Sequence, residues 1–351
     1  MVINGGQPPL ILIMQAVNLK QAFSILSYRF GITQSLIRMR NYLKVSDNTF
    51  TILNYHRVNN FNDPFTIDSV AATDFENQMR YLSRNYQVLS LAEIYDHLRN
   101  HQTLPKQCLA ITFDDGYDDN YTFAYPILKN YNLPATIFLT VDCVETRAPL
   151  WFDQVLSAFK ATRKKNFVCP LTDEVSRIQD TGQKFQTAHV MLERLKKAGN
   201  DQRKKSIIDV LNELGVPSTG EFPHASNLLT WPRIKEMCHN NISFGSHTMT
   251  HPILATLPVS EVEYEVTASK RIIENKIDTA VNFLAYPNGK AMDFNESVIQ
   301  TVALAGYKAA MTTLSAINTP DSDPYTWGRY KPWQNPVEYF SMALFMHRLS
   351  Q

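Results

Sequence analysis

The stretch Thr112-Phe113-Asp114-Asp115-Gly116 closes an apolar run with two adjacent carboxylates. Like charges side by side repel unless a cation or a shared proton relieves them, so an Asp-Asp pair at a strand end invites a metal. An Asp-Asp-Gly sequence also suits an ordinary turn, in which Gly supplies positive φ and Asp bonds the backbone. Far downstream, Ser246-His247-Thr248-Met249-Thr250-His251 carries two histidines four apart. In one turn of helix that spacing puts both imidazoles on one face, within reach of one ion. Two histidines and one carboxylate make the three-ligand set of a catalytic divalent site, with positions left for water and substrate.

A third stretch follows, Phe283-Leu284-Ala285-Tyr286-Pro287-Asn288-Gly289, and an earlier one precedes all of these, Asn54-Tyr55-His56-Arg57-Val58. In this order the motifs resemble the polysaccharide deacetylase family, the NodB-like carbohydrate esterases that remove N-acetyl groups from amino sugars. The resemblance runs over residues 50–330. The Tyr-His-Arg-Val segment is similar to the branch that acts on bacterial exopolysaccharides built on N-acetylglucosamine.

The resemblance implies a role for each residue. Asp115, His247 and His251 would hold a divalent ion, with zinc expected from the nitrogen and oxygen donors, although other first-row metals suit the same set. The ion would activate a water and polarise the acetamide, and Asp114 would take the proton of that water. His56 is the expected general acid for the departing sugar nitrogen, and His347 is a poorer candidate. A backbone N–H near Asn288 would help stabilise the oxyanion. The family usually has an arginine where this chain has Ala285, and Arg329 is the candidate to replace that charge from another strand end. Tyr286 and Trp327 offer apolar faces for a sugar ring, although aromatic residues at barrel positions are more often core. A hydrolase acting on a small non-sugar amide, and an inactive glycan-binding protein, are the competing readings.

These groups need a scaffold. Phe50–Tyr55, Tyr86–Ser90, Cys108–Phe113, Ala135–Leu139 and Phe283–Tyr286 read as short apolar strands. Helices are expected after a cap at Thr73 or Asp74, over Leu91–Arg99, and around Tyr121–Tyr131. Apolar strands separated by helices imply a parallel sheet buried on both faces. The family resemblance sharpens this to an α/β fold, a distorted (β/α) barrel of about seven strands, with chemistry at the C-terminal strand ends. The expected organisation is an N-terminal arm over 1–49 and a deacetylase domain over 50–351, with a helical insertion over about 145–230. From Lys160 to Lys205 the insertion carries twelve Lys or Arg against five Asp or Glu. It reads either as a solvated excursion or as a platform for an anionic or lipid-linked glycan or a membrane.

Composition agrees with an enzyme of this size. The chain has 351 residues, 44% of them apolar, enough for one large domain with an appendage, and a net charge of +1 excludes a global field for nucleic acid. Its four cysteines form no Cys-x-x-Cys pair, which argues against a structural zinc site. Residues 1–46 contain no acidic side chain, while Lys20, Arg29, Arg38, Arg40 and Lys44 interleave with apolar residues. That pattern suits a basic amphipathic helix on an anionic membrane surface, or a helical arm packed on the barrel or a partner. The apolar run Leu10–Val17 is too short to span a bilayer and no basic residue precedes it, so a cytoplasmic or membrane-peripheral location is expected. Met14 is an alternative start.

Overall fold

Runs of buried apolar residues lie side by side as parallel strands, and the loops at one end of those strands carry the polar chemistry. The computed structural model describes residues 24–28, 31–33, 35–36, 48–60, 63–217, 227–332 and 336–349. The strands are β1 (Phe50–Tyr55), β2 (Arg57–Asn59), β3 (Ser69–Ala71), β4 (Gln87–Val88), β5 (Cys108–Phe113), β6 (Ala135–Leu139), β7 (Asn166–Val168), β8 (Val175–Arg177), β9 (Ile242–Ser246), β10 (Phe283–Ala285) and β11 (Ala309–Met311). The α-helices are α1 (Ala72–Asn85), α2 (Leu91–Arg99), α3 (Tyr125–Asn130), α4 (Val141–Thr146), α5 (Trp151–Ala161), α6 (Thr181–Lys197), α7 (Asn200–Glu213), α8 (Trp231–Cys238), α9 (Val259–Ile277), α10 (Glu296–Leu304) and α11 (Val337–Leu349).

The main sheet runs in the order β1-β5-β6-β9-β10-β11, with β4 added against β5. All its pairings are parallel. One edge of β5 faces β1 along its whole length, while β4 takes the first two residues of the other edge and β6 the last two. Every residue of β1, β5 and β6 is buried, as expected for strands covered on both faces. The segment 327–330 joins the two ends of the sheet: Trp327 N–H donates to Ala310 O, and Tyr330 N–H donates to Ile52 O. This closure gives the expected barrel and carries Arg329 into it.

Some expectations on local structure change. Ala71, not Thr73 or Asp74, occupies the N-cap of α1, and it makes no side-chain cap. The strand expected over Tyr86–Ser90 shortens to β4, because Ser90 is committed to a capping box with Glu93 at the start of α2. The helix expected around Tyr121–Tyr131 opens with a π turn over Asn120–Ala124 before α3.

The insertion packs around a hydrophobic cluster of its own. Helices α5, α6 and α7 and the antiparallel hairpin β7–β8 enclose a cluster that includes Val155, Phe159, Phe167, Leu192 and Val210. The basic side chains of the N-terminal arm lie outside the described residues. Over 24–28, Ser24 and Ser27 are buried, Ile25 and Leu26 are exposed, and Tyr28 packs against Tyr81. Among the described residues no helix is long and apolar enough to cross a membrane.

Candidate active site

Strand β5 delivers both carboxylates to the C-terminal mouth of the barrel. Asp114 continues the ladder by donating its N–H to Tyr55 O at 3.0 Å. The next two residues break it, with φ of 74° at Asp115 and 80° at Gly116. The left-handed backbone at residue 116 favours glycine, and a Cβ there would also lie 2.8 Å from Leu139 Cδ2. Adjacent in chain, the two side chains diverge.

Asp114 faces a buried guanidinium. Arg329 Nη1 and Nη2 donate to its Oδ1 and Oδ2 at 2.7 Å each, and Arg329 Nε donates to Thr312 O at 2.7 Å. Burial pushes the Asp114 carboxyl up, but Arg329, His247 and His56 outweigh it and hold the group well below the usual carboxylate range. The charge missing at Ala285 therefore arrives from the segment that closes the barrel. Ala285 supplies something else, a carbonyl that accepts from His247 Nδ1 at 2.7 Å.

Asp115 faces two imidazoles. His247 Nε2 and His251 Nε2 each lie 3.5 Å from its Oδ1, and ligand atoms of the three side chains fall within 4.8 Å of one another. The bond to Ala285 O requires a proton on His247 Nδ1, which leaves the Nε2 lone pair facing the carboxylate. Asp115 Oδ1 is buried and has no hydrogen-bond partner. Burial lowers His247 to about 4 and His251 well below its ordinary value, so both rings are neutral. Burial, then the neighbouring Asp114 charge, pushes Asp115 up. A buried carboxylate oxygen without a partner, gathered with two imidazole nitrogens, fits a cation between them, and the donor set suits a divalent metal.

The two histidines do not share a helical turn. His247 follows β9 directly, and positive φ at Thr248 (68°) and His251 (56°) folds the segment into a loop. The rings still meet, with centroids 4.8 Å apart. Glu265, on α9, holds this loop. Its carboxylate accepts from Met249 N and Thr250 N at 2.8 and 2.9 Å and from Thr250 Oγ1 at 2.6 Å.

His56, Asp114, Asp115, His247, His251 and Asn288 line one cavity of about 310 Å³. His56 Nε2 is 3.8 Å from Asp114 Oδ2, and burial lowers its pKa against the opposing pull of Asp114. Asn288 has φ of 57°, and its buried Nδ2 has no partner. Tyr286 and Trp327 are not in this wall. Tyr286 is fully buried, stacks on Phe294 at 4.5 Å and donates its hydroxyl to Tyr325 O. Trp327 is buried edge-on against Phe50 inside the barrel. Both rings are packed in the core, away from the cavity that holds the two aspartates and the two histidines. His347 stacks on Tyr330 outside the cavity. A larger cavity of about 580 Å³ lies at the other end of the barrel, beside Val88, Ile242 and Phe283; its carboxylate, Glu93, belongs to the α2 capping box.

Several site residues had no role in the sequence reading. Arg57 pairs with Asp119 at 2.8 Å and covers the Tyr117 ring, whose hydroxyl donates to Asp153 on α5. This buried chain braces the loop after Asp115, and the Tyr-His-Arg-Val motif already contained its arginine. Phe152, His189, Glu193 and Lys196 bring the insertion into the cavity wall.

Comparison with known proteins agrees with this architecture. The profile of the family described as Polysaccharide deacetylase matches residues 101–198 and 198–310. YxkH of Bacillus subtilis, itself assigned to the polysaccharide deacetylases, is 25% identical over 281 residues, 80% of this chain and 70% of that protein. The poly-beta-1,6-N-acetyl-D-glucosamine N-deacetylase of Staphylococcus aureus is 37% identical over 110 residues, 28% of this chain and 38% of that enzyme. Among solved structures, the deacetylase PplD of Streptococcus pyogenes, determined with acetate, superposes with a TM-score of 0.58 at 21% identity, covering 85% of this chain and 98% of that one. IcaB of Ammonifex degensii gives 0.56 at 17% identity, covering 85% and 97%. The family profile spans more than half of the sequence and the fold is shared along nearly whole neighbouring chains: the chain belongs to the polysaccharide deacetylase family.

Proposed function

We propose that this protein is a metal-dependent hydrolase that removes N-acetyl groups from N-acetylglucosamine-type sugars in a glycan. The observation that carries this reading is the opposite treatment of two adjacent carboxylates: Asp114 is clamped by Arg329, while Asp115 is left facing the Nε2 atoms of two imidazoles. Asp115, His247 and His251 would hold the ion. Bound there, a divalent cation, with zinc favoured by the donors, supplies Lewis acidity for the acetamide carbonyl and for the attacking water.

The remaining chemistry belongs to side chains. Asp114 is ionised throughout the neutral range, and Arg329 fixes the plane of its carboxylate, so it accepts the proton of the attacking water in a set orientation. His56 starts neutral because it is buried. Its Nε2 lies 3.8 Å from Asp114 Oδ2, just beyond hydrogen-bond range, close enough to receive that proton and pass it to the departing sugar nitrogen. The C–N bond then breaks to give acetic acid and a free amine, one proton of the water ending on nitrogen and the other remaining on the new carboxyl until solvent takes it. A backbone N–H near Asn288, which lines the same cavity, supports the oxyanion.

The test is an acetate-release screen over chitooligosaccharides, poly-N-acetylglucosamine and small cyclic amides, with and without chelator. Chelator-sensitive release from the sugars and not from the cyclic amides is expected, abolished by Asp114→Asn. Release from the cyclic amides alone would assign a non-sugar amidohydrolase. Binding of glycan without release in the metal-loaded protein would assign a binding module.

A further inference from the structure

The two histidines that face Asp115 are oriented by different means. His247 Nδ1 is tied to Ala285 O at the end of β10, the usual device for fixing a ligand imidazole. His251 has no such tie: its Nδ1 is buried and has no hydrogen-bond partner. Its neighbours come instead from the insertion, through consecutive residues in the first turn of α5. Trp151 Nε1 donates to His251 O at 3.3 Å. The Phe152 ring stands edge-on to the His251 imidazole, with centroids 5.4 Å apart and planes at 66°. Asp153 Oδ2 accepts at 2.9 Å from the hydroxyl of Tyr117, in the loop that follows Asp115. The Trp151 indole is itself held. It packs edge-on against Phe152 with centroids 5.5 Å apart, and the buried guanidinium of Arg203 on α7 lies 5.3 Å from the centre of its ring. The backbone of His251 is thus fixed at both groups, its N–H by Thr248 Oγ1 at 3.1 Å and its carbonyl by Trp151.

We propose that Trp151 and Phe152 are positioning residues of the metal centre, so that the insertion, and not the barrel, sets His251 for the ion. The inference rests on reading Asp115, His247 and His251 as ligands, and it divides their support between two parts of the chain. Strand β10 of the barrel sets His247, the first turn of α5 sets His251, and Asp153 extends that turn to the loop after Asp115. An imidazole whose second nitrogen has no partner keeps its orientation only through packing and through the backbone that carries it. Phe152 supplies the packing and Trp151 anchors the backbone. A docked insertion is therefore a condition of full metal affinity as well as a wall of the cavity.

The experiment measures the zinc affinity of the full chain by competition with a chromophoric chelator, and the visible absorption of the cobalt(II)-loaded protein. Neither readout needs a substrate. Trp151→Phe keeps an aromatic ring beneath Arg203 and removes the donor to His251 O, while Phe152→Leu keeps an apolar side chain and removes the aromatic edge. Val210→Ala is the control, because Val210 is buried in the core of the insertion on α7 and does not line the cavity. The zinc dissociation constant should rise about tenfold or more in the first two variants, the scale of a lost outer partner of a metal ligand, with changed cobalt band positions or intensities. Val210→Ala should lower Tm and leave both metal readouts native. The inference is overturned if Trp151→Phe and Phe152→Leu both bind zinc within about twofold of the native protein with an unchanged cobalt spectrum. It is also overturned if Val210→Ala weakens zinc as much as they do, because the loss then comes from a general loosening of the insertion. In either case native zinc binding leaves the ligand assignment standing. A native protein that binds neither zinc nor cobalt removes that assignment, and the inference with it.

Discussion

Asp114 and Asp115 are neighbours in sequence, equally buried, and treated by the protein in opposite ways. The first receives a guanidinium through two hydrogen bonds and is held ionised. The second receives no donor at its Oδ1 and faces the Nε2 atoms of His247 and His251 at 3.5 Å each. A fold that needed only charge balance would have paired both. Pairing one and leaving the other open separates a carboxylate kept for proton transfer from a carboxylate kept for a cation. The positive φ at Asp115 makes the separation possible, because it turns two adjacent side chains towards different partners.

The sharpest way to break this comparison is to neutralise each carboxylate in turn. Asp114→Asn should lower kcat on the order of a thousandfold, the scale of a lost positioned base, while the ion still binds. Asp115→Asn should lose both activity and ion. The measurement that separates them is thermal unfolding with and without zinc. An ion at a hundred times its dissociation constant adds about 2.7 kcal/mol, a rise of about 5 °C in Tm. That rise should persist in Asp114→Asn and vanish in Asp115→Asn. If both variants lose it, the division of roles between the two carboxylates is wrong.

Arg329→Gln comes next in size. It leaves Asp114 buried without its partner, at a cost on the order of 3–5 kcal/mol, and should reduce kcat by about a hundredfold. Arg329 holds Asp114 below its unfolded pKa, so in the native protein the pair contributes stability at all pH values above the ordinary carboxylate range, lost only in strong acid. In the variant burial is unopposed by Arg329 and the folded pKa rises above the unfolded one. The sign then reverses: stability falls as pH rises through the unfolded carboxylate value and above. Denaturant titrations at acidic and alkaline pH should therefore find Arg329→Gln relatively worse at alkaline pH. A constant deficit across pH would mean that the arginine acts by packing alone.

The metal side responds to a more distant change. Glu265→Ala frees Met249 N, Thr250 N and Thr250 Oγ1, the donors that hold the histidine loop. Partners of this kind typically contribute ten- to a hundredfold in metal affinity, so zinc titration should show a loss of about that size with Asp114 chemistry otherwise intact. Zinc affinity within about twofold of the native value would show that the loop is held by the rest of its backbone bonds.

Much of the candidate site was legible because its residues announce their chemistry by type. A doubled carboxylate and a histidine pair are informative without knowing the fold, and they identified Asp114, Asp115, His247 and His251 as a set. The barrel was legible in the largely apolar strands β1, β5 and β6, where burial on both faces leaves no alternation to mislead. Other parts depend on long-range closure. Arg329 meets Asp114 only because the segment 327–330 bridges the two edges of the sheet, a pairing that no local pattern encodes. The histidine loop was read as helix because a spacing of four fits one, whereas positive φ at Thr248 and His251 is decided by neighbouring backbone. The insertion was ambiguous for a related reason: Lys and Arg dominate its composition, and its core consists of widely spaced apolar residues that become adjacent only when α5, α6 and α7 pack.

The smallest effect tests the residue on which sequence and structure disagree most. Tyr286 stands in the third motif beside Pro287 and Asn288, where an aromatic ring invites a sugar. Its ring instead stacks on Phe294 and its hydroxyl donates to Tyr325 O at 3.1 Å, all away from the cavity. Tyr286→Phe should therefore cost on the order of 1 kcal/mol of stability from one lost buried hydrogen bond and leave kcat/KM within about twofold. The cavity wall at Asn288 is set by backbone, through Thr313 Oγ1 donating to Asn288 O and Thr313 N–H donating to Gly289 O, so the missing hydroxyl has no route to it. A KM rise of tenfold in this variant, with kcat intact, would mean that the ring leaves the core to meet substrate, and the contrast between a rigid barrel interior and a donor-lined mouth would have to be redrawn at that strand end.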